Sequence, residues 1–205
     1  MEKKIVTYGV FWEPPIQIQE FIDEWKSKIK SMEPDAQYLN HIVHSTFYLI
    51  NVNLQDSNLI LNTFNTLIKS IKPINIVFKG WKVFYNDLST NADTLIYEIL
   101  NNDKLVDAQQ VITNKLIQFK QKDIDYISEW SGDYLLSKNK WGFPFVGKHW
   151  IPHLTVASVN KKCTQIINDA LASNHILPSV ELNKLSLFSI DEKGNHERIK
   201  TIELE

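Results

Sequence analysis

Residues 44–47 read HSTF and residues 152–157 read PHLTVA, and these two stretches decide how the chain is interpreted. Each contains a histidine followed two positions later by a threonine, within a run of apolar and β-branched residues that predicts a strand. Residues i and i+2 of a strand point to the same face of the sheet. We therefore predict that each motif presents an imidazole and a hydroxyl side by side.

The same order of elements surrounds both motifs. A strand with His-x-Thr, then a helix, then two strands occurs around His44 and again around His153. Apolar periodicity predicts strands at 5–12, 42–52, 74–85, 94–100, 150–159, 182–190 and 197–204, and helices at 16–29, 57–71, 103–119 and 161–172. This repeat predicts an α+β, bilobal fold with two pseudo-symmetric antiparallel-sheet lobes, outer helices and a central cleft carrying both motifs.

Length and composition indicate one globular domain over residues 1–205, with an irregular insertion at about 122–148. The net charge of −2 argues against binding to long duplex nucleic acid, because such binding requires many Lys and Arg contacts to phosphates. A short oligonucleotide or a cyclic nucleotide remains compatible with it. No apolar run approaches the roughly 20 residues of a membrane span, and the N-terminus does not resemble a signal peptide. We predict a cytoplasmic monomer without a membrane partner.

Two imidazoles that face each other across a phosphate can carry out paired proton transfer. One takes a proton from the attacking water and the other gives a proton to the departing oxygen, since the unperturbed imidazole pKa lies near neutrality. Threonine hydroxyls can donate hydrogen bonds to the non-bridging oxygens, where negative charge develops. The scheme needs neither a metal nor a cofactor, and it treats the two histidines symmetrically.

HSTF, PHLTVA and the order of the surrounding elements together resemble the two-histidine phosphoesterase superfamily. That superfamily includes bacterial 2′-5′ RNA ligase-like proteins and RNA 2′,3′-cyclic phosphodiesterases. The resemblance implies that His44 is the proton donor, His153 the proton acceptor, and Thr46 and Thr155 phosphate ligands. The chain departs from many bacterial members after the second threonine, where residues 156–159 read VASV and lack an arginine.

Three further residues are candidates for binding the substrate. Tyr48 follows His44 by four residues, so alternation places it toward the cleft, where it either flanks the substrate or fills the lobe interface. Lys148 either supplies the missing cation or is a surface lysine. Trp141 belongs, with Tyr134 and Phe143, to the 122–148 segment, whose aromatics either stack on bases as a lid or anchor a long loop to the core.

The other histidines receive structural interpretations. His41 lies three positions before His44, and residues i and i+3 of a strand point to opposite faces, so shared metal ligation is awkward. His149 lies four positions before His153, but the intervening Pro152 disfavours the helical turn that would align them. We predict no metal site. His175 and His196 lie near loops and are predicted at the surface.

The predicted function is that of a phosphoric diester hydrolase acting on a 2′-linked phosphodiester. A 2′,3′-cyclic phosphate of an RNA end or a nucleotide is the leading substrate, and a 2′-5′ oligoadenylate is the alternative. A non-catalytic RNA-end binding module is the competing class, against which the intact histidine and threonine of both motifs argue.

Overall fold

The computed structural model describes residues 4–126, 129–160 and 163–205. The elements in chain order are β1 Ile5–Trp12, α1 Ile16–Met32, β2 Ser45–Asn53, α2 Ser57–Ile68, β3 Ile74–Ile76, β4 Phe78–Asp87, β5 Ala92–Ile99, α3 Asp103–Leu116, β6 Lys120–Lys122, α4 Gly132–Trp141, β7 His153–Val159, α5 Thr164–Ala172, β8 Val180–Leu182, β9 Lys184–Ile190 and β10 His196–Glu203. These bounds follow most of the predicted elements closely. Residues 161 and 162, predicted at the start of α5, lie outside the described residues.

Antiparallel sheets form the framework of the described chain. One sheet has the order β10-β9-β1-β2-β6, a second has the order β4-β5-β7, and β3 pairs with β8 in a short third sheet. The helices α2 and α3 pack against the first sheet, whereas α1 and α5 pack against the second. The predicted α+β architecture is therefore confirmed.

The two repeated units exchange strands. The hairpin β4–β5 follows the first motif strand in the chain, yet it pairs with β7, which carries the second motif. Conversely, β9 and β10 follow the second motif, yet β9 pairs with β1, the neighbour of the first motif strand β2. The first sheet and the sheet β4-β5-β7 thus each combine strands from both units. This exchange connects the two motif strands within one framework of sheets.

The segment 122–148 is not irregular throughout, so that prediction is wrong for its central part. Gly132–Trp141 form an α-helix, and Gly142, with a φ of 74°, ends it in the left-handed region that favours glycine. The apolar residues of this helix do not recur at 3.6-residue spacing, which is why periodicity failed to reveal it. The side chain of Gln109 on α3 holds the segment to the first motif by donating to the carbonyls of Phe47 and Phe145.

Every described helix is too short or too polar to cross a membrane.

Candidate active site

The two histidines of the motifs are held in the same way. The Nδ1 atom of His44 lies 2.8 Å from the carbonyl oxygen of Ile42, and that of His153 lies 2.6 Å from the carbonyl oxygen of Ile151. Because a carbonyl only accepts, Nδ1–H is the donor in both cases. This tautomer leaves each Nε2 atom free to exchange a proton with a ligand.

A β-bulge follows the threonine in each motif. Along β2, Thr46 pairs with Phe11 and Tyr48 pairs with Val10, so Phe47 has no partner on β1. Along β7, Thr155 pairs with Ile96 and Ala157 with Leu95, so Val156 is the extra residue. Bulges re-aim neighbouring side chains. The two motifs therefore share a local geometry that their different sequences do not reveal.

A cleft of about 480 Å³ lies between the sheets, and both motifs line it. Its walls include His44, Thr46, His153 and Thr155, so the structure brings together the four residues that carry the sequence prediction. An aromatic wall from the 122–148 segment and its neighbours closes one side, formed by Tyr126, Trp130, Tyr134, Phe143, Phe145 and His149.

Phe11 orients the imidazole ring of His44, and no local sequence pattern predicts this contact. The two rings stack with their centroids 4.0 Å apart and an interplanar angle of 25°. The Phe11 ring folds back over Gly9, where an added Cβ atom would approach its Cζ atom to 2.4 Å. Only glycine at position 9 therefore allows this placement of the Phe11 ring.

The two histidines differ in the charges around them. Burial lowers the pKa of His44 to about 3, and the nearby His196, His41 and Lys26 lower it as well. Burial also lowers the pKa of His153, and Lys82 lowers it further, whereas the hydrogen bond to the Ile151 carbonyl and the carboxylates of Asp87 and Glu98 act in the opposite direction.

Asp87 is held firmly beside the second motif. Its carboxylate accepts from the Thr94 hydroxyl at 2.7 Å and from the Ser89 backbone N–H at 2.9 Å. Asp87 thus places a fixed carboxylate on the His153 side of the cleft.

Three predicted substrate-binding residues do not line the cleft. Tyr48 is fully buried and its hydroxyl donates to the Trp141 carbonyl at 2.5 Å, so the prediction that it faces the cleft is wrong. The bulge at Phe47 breaks the alternation, and Leu49 lines the cleft instead. Trp141 is half-buried outside the cleft, whereas Lys148 is exposed and pairs with Asp133 at 2.5 Å.

The remaining histidines divide between surface and cleft. His175 is exposed, as predicted, but His196 lines the cleft, and its ring centroid lies 5.2 Å from that of His44. The surface prediction for His196 is therefore wrong, because strand exchange brings β10 into the sheet of the first motif. His41 also lines the cleft. Within residues 4–126, 129–160 and 163–205, no three His, Cys, Asp or Glu side chains converge on a point that could hold a metal ion.

The histidine pKa values predict a loss of stability in acid. The pKa of His44 is lowered from 6.5 to about 3 in the folded chain. Below about pH 6.5, His44 takes up a proton in the unfolded chain but stays neutral in the folded chain. The contribution of neutral His44 to the free energy of unfolding is therefore present above that pH and is lost toward about pH 3. We expect the free energy of unfolding in urea to fall between about pH 7 and about pH 5, and to fall less steeply in His44→Gln. An unchanged slope in that variant would contradict the burial of a neutral His44.

Comparison with known proteins identifies the fold of the chain. No protein-family model and no curated protein matches the chain. Solved structures match it over nearly its whole length. TT0787 of Thermus thermophilus is 13% identical with a TM-score of 0.61, covering 96% of this chain and 97% of that one. E. coli LigT complexed with 3′-AMP is 11% identical with a TM-score of 0.58, covering 98% and 99%.

A third structure, described as a phosphoesterase, is 12% identical with a TM-score of 0.55 and covers 97% of this chain and 98% of its own. These proteins are members of the two-histidine phosphoesterase superfamily. The likeness shows the fold: the chain has the two-histidine phosphoesterase fold, as the two motifs predicted.

Proposed function

We propose that this chain is a metal-independent phosphodiesterase of the two-histidine superfamily, with His44 and His153 as its catalytic pair. The observation that carries the proposal is the duplicated motif geometry. Each histidine has Nδ1 bonded to the carbonyl two residues earlier, which leaves Nε2 as the atom that exchanges a proton, and both histidines and both threonines line one cleft. Paired proton transfer needs this arrangement, since both imidazoles must reach one phosphate.

The proposed reaction is hydrolysis of a phosphodiester linked to a ribose 2′ oxygen, with a 2′,3′-cyclic phosphate as the leading substrate. Water attacks phosphorus while the Nε2 atom of His153 takes its proton. The bond from phosphorus to the ribose oxygen breaks, and that oxygen receives the proton from Nε2 of His44. Thr46 and Thr155 donate hydrogen bonds to the non-bridging oxygens as their charge increases.

The surrounding charges support this assignment of roles. The carboxylate of Asp87 stabilises the imidazolium that His153 becomes when it takes the proton from water, against the opposing charge of Lys82. The neighbouring His196, His41 and Lys26 make a protonated His44 a strong acid, which favours proton release to the leaving oxygen. The negative phosphate raises the His44 pKa when substrate binds, so that Nε2 takes up a proton from solvent. This is the proton that His44 then gives to the leaving oxygen.

An activated substrate tests the two roles separately. A p-nitrophenyl phosphodiester has a leaving group that departs without protonation. We expect His44→Ala to lose much less activity on this substrate than on a cyclic nucleotide, because only the proton donor becomes dispensable. His153→Ala should lose activity on both. If His153→Ala instead loses much less activity on the p-nitrophenyl substrate, and His44→Ala loses activity on both substrates, then His153 is the proton donor and His44 the proton acceptor.

The aromatic wall supports a nucleotide as the substrate. Tyr134 is 37% exposed and lines the cleft, and its ring packs on that of His149 with the centroids 4.5 Å apart, so the part of the ring left exposed is the candidate surface for stacking on a base. Phe143 is only 4% exposed and serves as an anchor in the core. LigT has been solved with 3′-AMP, ATP and NADP+, so that protein holds small nucleotides on the same fold.

Removing the stacking ring is expected to weaken substrate binding. Base–aromatic stacking contributes about 1–3 kcal/mol, so Tyr134→Ala should raise KM for a 2′,3′-cyclic nucleotide by about 5-fold to about 150-fold. The matched control is Leu136→Ala on the same helix, since Leu136 is 67% exposed and does not line the cleft. Equal KM values for both variants would refute base stacking at Tyr134.

Turnover of 2′,3′-cyclic nucleotides in EDTA tests the proposed function directly. A panel should include 2′-5′ and 3′-5′ dinucleotides, because the same pair could cleave a 2′-5′ linkage of oligoadenylate. Turnover of the cyclic substrate that survives EDTA is the expected result. Loss of turnover in EDTA would refute the metal-independent mechanism, and binding of RNA ends without any turnover would favour the non-catalytic module.

A further inference from the structure

A cluster of three imidazoles lies at the His44 end of the cleft. The ring centroid of His196 is 4.6 Å from that of His41 and 5.2 Å from that of His44. Both His41 and His196 line the cleft, although neither belongs to a His-x-Thr motif. The chain therefore places two additional imidazoles beside the proposed proton donor, and the proposed reaction does not use them.

A buried cation lies next to this cluster. The side chain of Lys26 is only 5% exposed, and its Nζ atom donates to the carbonyl oxygen of His41 at 2.5 Å. Its carboxylate neighbour Asp23 is 4.0 Å away on the surface, a distance that neutralises the buried charge poorly. The positive charge of Lys26 also lowers the pKa values of His41 and His196.

Carboxylates do little to offset this charge. Asp191 is the acidic group that raises the His196 pKa, but its oxygens already accept from the backbone N–H groups of Lys193 and Asn195. This end of the cleft therefore carries a buried positive charge that nearby carboxylates offset only weakly.

The hydrogen-bonding capacity of His196 is incomplete. Its Nδ1 atom is buried and has no partner within the described part of the chain. Rotating the imidazole ring by 180° exchanges the positions of Nδ1 and Cδ2, so in that second orientation the nitrogen atom points in a different direction. Buried polar atoms without a partner cost free energy, so a ring orientation that turns this nitrogen toward an acceptor would remove that cost.

We propose that His41 and His196 form a second anion subsite, which binds a phosphate next to the one held between His44 and His153. This inference rests on the proposed function, and it narrows the substrate to a nucleotide or short oligonucleotide with an additional phosphate on the His44 side. The anion accepts a hydrogen bond from each imidazole. The positive charge of Lys26, on the far side of His41, attracts the anion without contacting it.

Anion binding at this subsite is coupled to proton uptake. The groups facing it are His41, His44, His196, Lys26, Tyr38 and Asp191. Burial lowers the pKa of His196 to about 4 and also lowers that of His41, so both are neutral in the empty site near pH 7. A bound anion raises both pKa values, so binding strengthens as pH falls.

Sulfate is the appropriate probe, because its charge stays constant across the neutral range. We expect sulfate to shift the side-chain NMR signals of His41 and His196 in the wild-type chain, with an affinity that rises as pH falls. A charge-assisted hydrogen bond contributes about 1.5–3 kcal/mol, so His41→Gln and His196→Gln should each weaken this binding by about 10-fold to about 150-fold. His175→Gln is the matched control, since His175 is exposed and does not line the cleft.

Thermal melts establish that both variants are folded before the titration is interpreted. Sulfate that shifts only the His44 and His153 signals, or wild-type affinity in both variants, would overturn the subsite. Turnover of a cyclic mononucleotide is measured separately. Turnover without a sulfate response at His41 and His196 would refute the subsite alone, whereas a sulfate response there without turnover would refute the proposed function and leave the anion site standing.

Discussion

Replacement of either His44 or His153 by alanine is expected to lower kcat for a 2′,3′-cyclic nucleotide by about 10²-fold to about 10⁴-fold, the usual contribution of one general acid or base. Each variant removes the only motif imidazole on its side of the cleft, and water is a poor replacement for a positioned group. KM should change much less than kcat, because the lost interaction operates in the transition state.

The double variant separates cooperation from independent action. Because both imidazoles act in one transition state, His44→Ala/His153→Ala should be little slower than the slower single variant. His175→Ala, a change of the same type outside the cleft, should retain full activity. Near-wild-type turnover in either single variant would refute the paired mechanism.

Loss of a motif hydroxyl is expected to have the second-largest effect. Thr155→Val keeps the shape of the side chain and its β-branched fit to β7, but removes the donor to a non-bridging oxygen. Removal of one such donor typically lowers kcat by about 10²-fold to about 10³-fold, and we expect the same for Thr46→Val. Thr155→Ser, which restores the hydroxyl, should recover most of the activity.

A surface threonine provides the control for this substitution. Thr66 lies exposed on α2, and Thr66→Val should leave turnover unchanged. Urea unfolding of all four variants tests whether each is folded. Equal kcat values for Thr155→Val and Thr155→Ser would show that the hydroxyl does not contact the reacting phosphate.

Local patterns in the sequence were sufficient to predict most secondary structure and the four motif residues that the structure brings together in the cleft. Alternation along a strand depends only on backbone geometry, so the shared face of His153 and Thr155 could be predicted from their spacing. Apolar periodicity likewise predicted α1 to α3, since each buries one face. Prediction failed for α4, whose aromatic and polar residues follow no helical period.

The tertiary structure decided which other residues reach the cleft. The bulge at Phe47 turns the side chain of Tyr48 into the core. The bulge depends on how β2 pairs with β1, so the sequence of β2 alone does not predict it. Phe11 reaches His44 only because its ring folds over Gly9.

The sequence by itself determined the two motifs: two imidazoles, each with a hydroxyl two residues later, in two similar units. Only the tertiary structure decided what surrounds each pair. Because β4–β5 joins the sheet of the second motif, Asp87 is close enough to oppose the lowering of the His153 pKa by burial. Because β9–β10 joins the sheet of the first motif, His196 lies beside His44. The physical reason is that strand pairing across the chain depends on long-range contacts, which local sequence periodicity does not encode.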